Sequence, residues 1–244
     1  MTRLKKLLSG YDLNQGCLDI CGFTSFLFAC IRCYPVEFIR FAMDLFDNGS
    51  GVLGGFKVSA NEDLMNTTLA DLLNENPDDS TKPMYPDFTD WILQTTFVAS
   101  FRAQSGIKYN GKKDMDAEVS MQFNVLKDES KSINSCCKDF FDSIVVDRYP
   151  GQSLKVNDQL DKGYAVILVT PAKFFKPGAT ATHVTFLAST FEIFKQPHNG
   201  NQNADWVRCS VHSYGKREEL QVPLTNAPTL GDGFSRIIFL KPAH

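Results

Sequence analysis

The chain has little charge of either sign to spare. Twenty-five Lys and Arg stand against 28 Asp and Glu, a net charge of -3 over 244 residues, and no basic run is longer than two. Proteins that hold nucleic acid by neutralising phosphates need a basic surplus or stripe, so that class of partner is excluded. Long apolar runs are missing too. No segment reaches the roughly 20 residues of a spanning helix, and mean hydropathy is -0.18, so no stable membrane insertion is expected. An even, spaced set of cysteines is also absent. The seven are unevenly placed: Cys17, Cys21, Cys30 and Cys33 come early, Cys136 and Cys137 are adjacent, and Cys209 stands by itself in the last hundred residues. An odd number leaves at least one thiol outside any intrachain disulfide, and the pattern fits synthesis in a reducing compartment rather than a disulfide scaffold. Internal repeats, heptad arrays and low-complexity segments are lacking as well.

What is present is an ordinary globular composition, 43% hydrophobic and 22% charged, with 20 phenylalanines. That is enough to bury one sizeable core. The N-terminal MTRLKKLL imitates the basic start of a secretion signal, and Leu27-Phe28-Ala29-Cys30 imitates a lipoprotein box. Tyr11, Asp12, Asn14, Gln15, Gly16 and Asp19 interrupt the stretch between them. An apolar region that begins only after Cys21 is too late for a cleaved signal, so the expectation is cytoplasmic synthesis without one.

From Cys21 to Tyr34 apolar residues recur at helical spacing and nearly encircle the axis, which predicts a helix buried on most sides. A second helix is predicted over 36–46, with Phe38, Ile39, Ala42, Met43 and Phe46 on its buried face and Asn48-Gly49-Ser50-Gly51 as its stop. A third is expected over 61–73. Residues 77–86 read as a polar, proline-containing connection, and 90–102 return to helical periodicity. The texture then changes to strands: 164–170 (YAVILVT), 183–189 (HVTFLAS), 206–214 (WVRCSVHSY) and 236–240 (RIIFL), with 198–205 (HNGNQNAD) as the clearest surface loop. Helices first and strands after, without βαβ alternation, predict a single α+β domain with an antiparallel sheet. Residues 1–140 form its mainly helical lobe and 141–244 its mainly β lobe.

The chemistry concentrates in LNQGCLDICGFTSFLFACI, residues 13–31. Cys21 sits where a loop becomes a helix, and there the helix dipole and unpaired backbone N–H groups favour a thiolate. Gln15, six positions upstream, carries an amide that with the Cys21 N–H would form an oxyanion hole. Of the four histidines, His183 opens an apolar strand after the pliable KPGATAT segment and is the best general base by context. His212 lies on the next convincing strand, His198 falls in the polar loop, and His244 is terminal.

QGCLDIC resembles the papain-like cysteine peptidase pattern, in which Gln-Gly precedes a catalytic cysteine at this spacing and a histidine begins a strand much farther along. His212-Ser213-Tyr214-Gly215 resembles the family's N-S-W-G motif with His in place of Asn. The sequence departs from papain in having Gly22 after Cys21 and a Cys-to-His separation of 162 residues, against about 130–150 in papain and the cathepsins. These departures bring it nearer to divergent bacterial cell-wall peptidases and secreted effector proteases and amidases of the same fold.

The resemblance implies a papain-like fold, a nucleophile helix packed on a sheet lobe, with Cys21 as nucleophile, His183 as base, His212 as orienter and Gln15 as oxyanion donor. Asp205 and Asn203 stand as alternative orienters. It further implies cleavage of an amide bond in a peptidoglycan peptide or a protein, with no cofactor and no metal. By analogy at the level of the family, the protein would be an effector toxin exported by a specialised machine such as type VI secretion, with an immunity protein as partner. Two other readings stay open. One is acyl transfer or glutamine deamidation on the same Cys-His core, as in transglutaminase-type enzymes. The other is a non-catalytic zinc or interaction module in which Cys17, Cys21, Cys30 and Cys33 are ligands, CIRC being a CxxC pair.

Overall fold

The structure is a computed structural model that describes residues 2–9, 13–16, 18, 20–74, 86–104, 106–111, 137–146, 155–175, 177–179, 182–198, 200–213, 216–224, 234 and 236–241. It is mixed α+β and divides into two compact units, residues 1–140 and 141–244.

The first unit is mainly helical: α1 Thr2–Leu8, α2 Cys21–Cys33, α3 Pro35–Asn48, α4 Glu62–Asn66, α5 Leu69–Asn74 and α6 Phe88–Ala103, with a small hairpin of β1 Ser50–Leu53 and β2 Phe56–Ser59 after α3. Helix α2 is buried without a break from Phe26 to Ile31, as its encircling pattern predicts. Its partner α6 is equally enclosed, and Phe97 of α6 gathers Phe23, Phe26 and Phe56 around it at centroid separations of 5.5 to 6.0 Å. A helix with core on all sides shows little periodicity, which is why its polar residues carry the information.

Two expectations are corrected in this unit. In α3 the buried stripe is Phe38, Phe41, Ala42 and Leu45, whereas Met43 and Phe46 are 46% and 45% exposed. The stripe is turned toward β1, where a Cβ on Gly51 would lie 2.8 Å from the Phe41 carbonyl, so only glycine lets the strand approach this closely. The single helix expected over 61–73 is two short ones. Asn61 caps α4 by accepting from the Leu64 N–H, and Thr67 in extended backbone ends it.

The second unit holds β3 Phe141–Val146, α7 Val156–Asp161, β4 Ala165–Pro171, β5 Thr182–Leu187, β6 Glu192–His198, β7 Asn201–Ser213, β8 Lys216–Pro223 and β9 Arg236–Leu240. All the strands pair antiparallel in the order β3-β9-β4-β5-β7-β6, with β8 also on β7. Strand β7 is long enough to serve three neighbours. β5 and β6 follow one another along one edge and β8 lines the other. The bend between β5 and β6 is pinned by Asn157 of α7, which donates to the Phe191 carbonyl and accepts its N–H. The expected surface loop over 198–205 is mostly strand, because Asn201 to Asp205 already pair with β6.

The core of this sheet comprises Val166, Leu168, Leu187, Val207, Cys209, Val211, Leu220 and Ile237, with Val156 of α7 against them. Strand alternation sends these residues to one face, and the same face carries the histidine that matters below.

Candidate active site

In the first unit the site is built around the turn that leads into α2. Asn14 accepts the Gly16 N–H on its side-chain oxygen at 2.9 Å, and Gly16 adopts φ +57°, a left-handed conformation that glycine enters without penalty. The Leu18 N–H then closes on the Gln15 carbonyl at 3.1 Å. Gln15 is thus held inside a tight turn, with only 6% of its surface exposed.

Helix α6 fastens this turn. The Asn14 N–H donates to the Asp90 carboxylate at 3.0 Å, and the Gln94 amide donates to the Asn14 carbonyl at 2.7 Å. Asp90 is fully buried and receives a two-armed guanidinium contact from Arg3 of α1, Nε at 2.8 Å and Nη2 at 2.5 Å. Burial pushes the Asp90 carboxyl above its usual range, even against the pull of Arg3 and the Asn14 N–H. The other end of the Gln94 amide accepts from Thr24 at 2.5 Å, and Thr24 lies one turn beyond Cys21.

Cys21 is the first residue of α2, partly exposed, and precedes the first intrahelical bond, Thr24 N–H to Ile20 C=O. No acidic side chain stands in that first turn to oppose a thiolate. The Gln15 carboxamide oxygen is 3.4 Å from the Thr24 hydroxyl, which places the carboxamide beside the same turn.

In the second unit His183 lies on β5, 3% exposed, with Nε2 2.8 Å from the Ser213 hydroxyl of β7 and the Phe175 ring edge-on at 4.9 Å. Thr170 faces it across β4, and Thr185 follows on the same face. Both threonines are fully buried, and among the described residues neither hydroxyl has a hydrogen-bond partner. Burial pulls the imidazole down from its ordinary 6.5 to about 4, so it is neutral at physiological pH.

This burial has a measurable consequence. Between pH 6.5 and about 4 the unfolded chain takes up a proton at His183 and the folded chain does not. The contribution is complete above that window and lost through it, on the order of 3 kcal/mol. Urea midpoints at pH 7 and pH 4.5 should therefore differ less in a His183→Gln variant than in the wild type. Equal differences would show that His183 does not carry the effect.

His212 is not the residue that meets His183. It pairs with Phe186, an odd number of positions from His183, and so lies on the opposite face of the sheet. The polar group at the imidazole is its neighbour Ser213, which sequence reasoning passed over because an alternating strand does not declare its faces. Asp205 is also removed from the role. It is ion-paired to Lys195 and stands eight residues up β7 from Ser213, about 26 Å at strand rise. Asn203 is two residues farther. His198 sits at the end of β6 against the edge of Trp206, and His244 lies outside the described residues.

A four-thiolate zinc site does not fit α2. Cys21 and Cys30 are nine residues apart on one helix, about 13 Å, too far to share an ion bound at about 2.3 Å per sulfur. Cys17 lies outside the described residues, and among those described no three His, Cys, Asp or Glu side chains gather to hold a metal. Burial drives the Cys33 thiol up to about 11 and Cys209 to about 12, and raises Cys30 as well. Comparison with protein-family models, with curated proteins and with solved structures gives no match.

Proposed function

We propose that this chain is a cysteine hydrolase of papain-like type that cleaves an amide bond. The observation that carries the reading is the placement of the Gln15 carboxamide, 3.4 Å from the Thr24 hydroxyl, beside the first turn of the helix that Cys21 opens. An amide N–H held at that point is placed to donate to an oxyanion that develops on a carbonyl attacked by Cys21.

In this reading neutral His183 takes the proton of the Cys21 thiol as the sulfur adds to the amide carbonyl and forms the C–S bond, while the Gln15 amide and the Cys21 N–H hold the oxyanion. The imidazolium returns that proton to the amine as the C–N bond breaks. Neutral again, it takes a proton from water, whose oxygen attacks the thioester; the C–S bond breaks, the carboxylate leaves, and the sulfur recovers the proton. Because Ser213 engages Nε2, proton traffic falls to Nδ1. Ser213 therefore takes the orienting role that the motif resemblance assigned to His212. The substrate is a peptidoglycan peptide or a protein amide, including a glutamine side chain, and an immunity protein is the expected partner if the chain is an exported effector. No helix among the described residues is long and apolar enough to cross a membrane.

Site-resolved alkylation tests the reading. Brief iodoacetamide treatment at pH 6 to 7 should label Cys21 first, because burial holds the Cys30, Cys33 and Cys209 thiols protonated. The Cys21 label should collapse in His183→Ala. Even labelling of all cysteines, or labelling indifferent to His183, would sink the proposal.

A further inference from the structure

We infer that Gln94 is the positioning residue of the acyl-transfer site, setting where the Gln15 oxyanion donor stands relative to the Cys21 thiol. The inference rests on the hydrolase reading of Cys21 and Gln15 and adds to it a residue that makes no contact with the reacting atoms.

Gln94 is fully buried on α6. Its Nε2 donates to the Asn14 carbonyl at 2.7 Å and to the Asp90 carbonyl, one turn back on its own helix, at 2.9 Å. Both bonds go to acceptors, so the orientation of the amide is fixed and its oxygen must face Thr24, whose hydroxyl donates to it at 2.5 Å. The bond to Asp90 locks the side chain to α6. The other two lead to the two segments that carry the chemistry: Asn14 is the residue before Gln15, and Thr24 stands three positions after Cys21, a neighbour on the helix surface. One amide thus joins the donor loop to the nucleophile helix. The Gln15–Thr24 contact also joins these two segments, and at 3.4 Å it is long.

An apolar side chain of the same length would fill the space, leave the Asn14 carbonyl without its Gln94 donor, and turn the Thr24 hydroxyl away from α6 to the Ile20 carbonyl, 3.1 Å away. Those groups bracket Gln15, so the loss would appear first as a displaced oxyanion donor. Displacement of about 1 Å in such a group costs on the order of 10²-fold in rate.

Two reagents at the same sulfur separate positioning from support of the fold. Iodoacetamide alkylates by displacement: sulfur bonds to the methylene carbon, iodide leaves, and no oxyanion forms. p-Nitrophenyl acetate acylates by addition: sulfur bonds to the carbonyl carbon, the oxygen becomes an oxyanion, and p-nitrophenolate leaves as the ester C–O bond breaks. Both reactions are followed at Cys21 by peptide mapping.

In Gln94→Met, acetylation of Cys21 should fall about 10- to 100-fold while its alkylation is unchanged. Thr24→Val should show the same split to a smaller extent, and Thr24→Ser, which keeps the hydroxyl, should restore wild-type acetylation. If Gln94→Met does not fold, the two Thr24 variants decide by themselves. Equal loss of both reactions would reduce Gln94 to structural support and overturn the inference, as would no loss of either. Failure of the wild-type Cys21 to alkylate selectively would instead remove the hydrolase reading beneath it, and with it the inference.

Discussion

Cys21→Ser is expected to lower turnover of an amide substrate by about 10⁴-fold or more, since removal of a nucleophile that acts as a unit with its base abolishes nearly all of the chemistry. The substitution changes one atom at the start of α2 and leaves the helix and its surroundings alone, so the urea midpoint should not move. Serine fails there for a chemical reason. A helix N-terminus and a neutral imidazole are sufficient to produce a thiolate and are far from sufficient for an alkoxide. Cys209→Ser is the matching control, because Cys209 is a core residue of the sheet and its thiol is raised to about 12 by burial. That variant should lose some stability and keep its rate. Turnover would be measured on peptidoglycan peptides and on denatured protein, and undiminished turnover in Cys21→Ser would move the nucleophile elsewhere.

The largest expected effect on stability belongs to Arg3→Ala, at about 3 kcal/mol near neutral pH, the usual cost of leaving a buried charge without its partner. Asp90 is wholly inaccessible and Arg3 supplies its counter-charge through two contacts. The penalty should depend on pH. Burial already raises the proton affinity of the Asp90 carboxyl in the folded chain, and loss of Arg3 raises it further. A protonated Asp90 needs no counter-charge, so the gap between variant and wild type should narrow as pH falls through the carboxyl range. Urea midpoints of both proteins at pH 7 and pH 4.5 measure it, and the titration of His183 cancels in the difference. A gap that stayed constant would mean that Arg3 contributes packing rather than charge.

Elements with one dominant signal were legible in the sequence. The apolar surround of α2 and the runs of β4, β5 and β9 declare themselves because burial on both faces makes most of their positions apolar. Strands β6 and β8 were not legible. EIFKQPH and KREELQVP are polar along most of their length because each lies at an edge of β7; β6 has no buried residue and β8 buries only Leu220, Val222 and Pro223 near its end. The hairpin of β1 and β2 was hidden by its shortness, although its Gly54-Gly55 pair is a recognised turn signal.

Of the proposed site, Cys21, Gln15 and His183 stand out in the sequence by residue type and by their context near element starts. Their supports do not. Asp90 and Gln94 are two polar residues one turn apart in an apolar helix, which is a usable sign of a buried polar face. Reading that sign requires knowing that the helix has no solvent side. The choice between His212 and Ser213 depends on strand register, which a sequence does not print.

That register gives β7 a property of its own. His212 and Ser213 are adjacent in the chain and belong to opposite sides of the sheet, so the identity of the group presented to the imidazole is a matter of parity. One residue inserted into β7 ahead of this pair and not absorbed by a bulge would slip the register and turn every later side chain over. An imidazole would then stand where the hydroxyl stands now, and the orienting partner would change its chemistry without any substitution at either position.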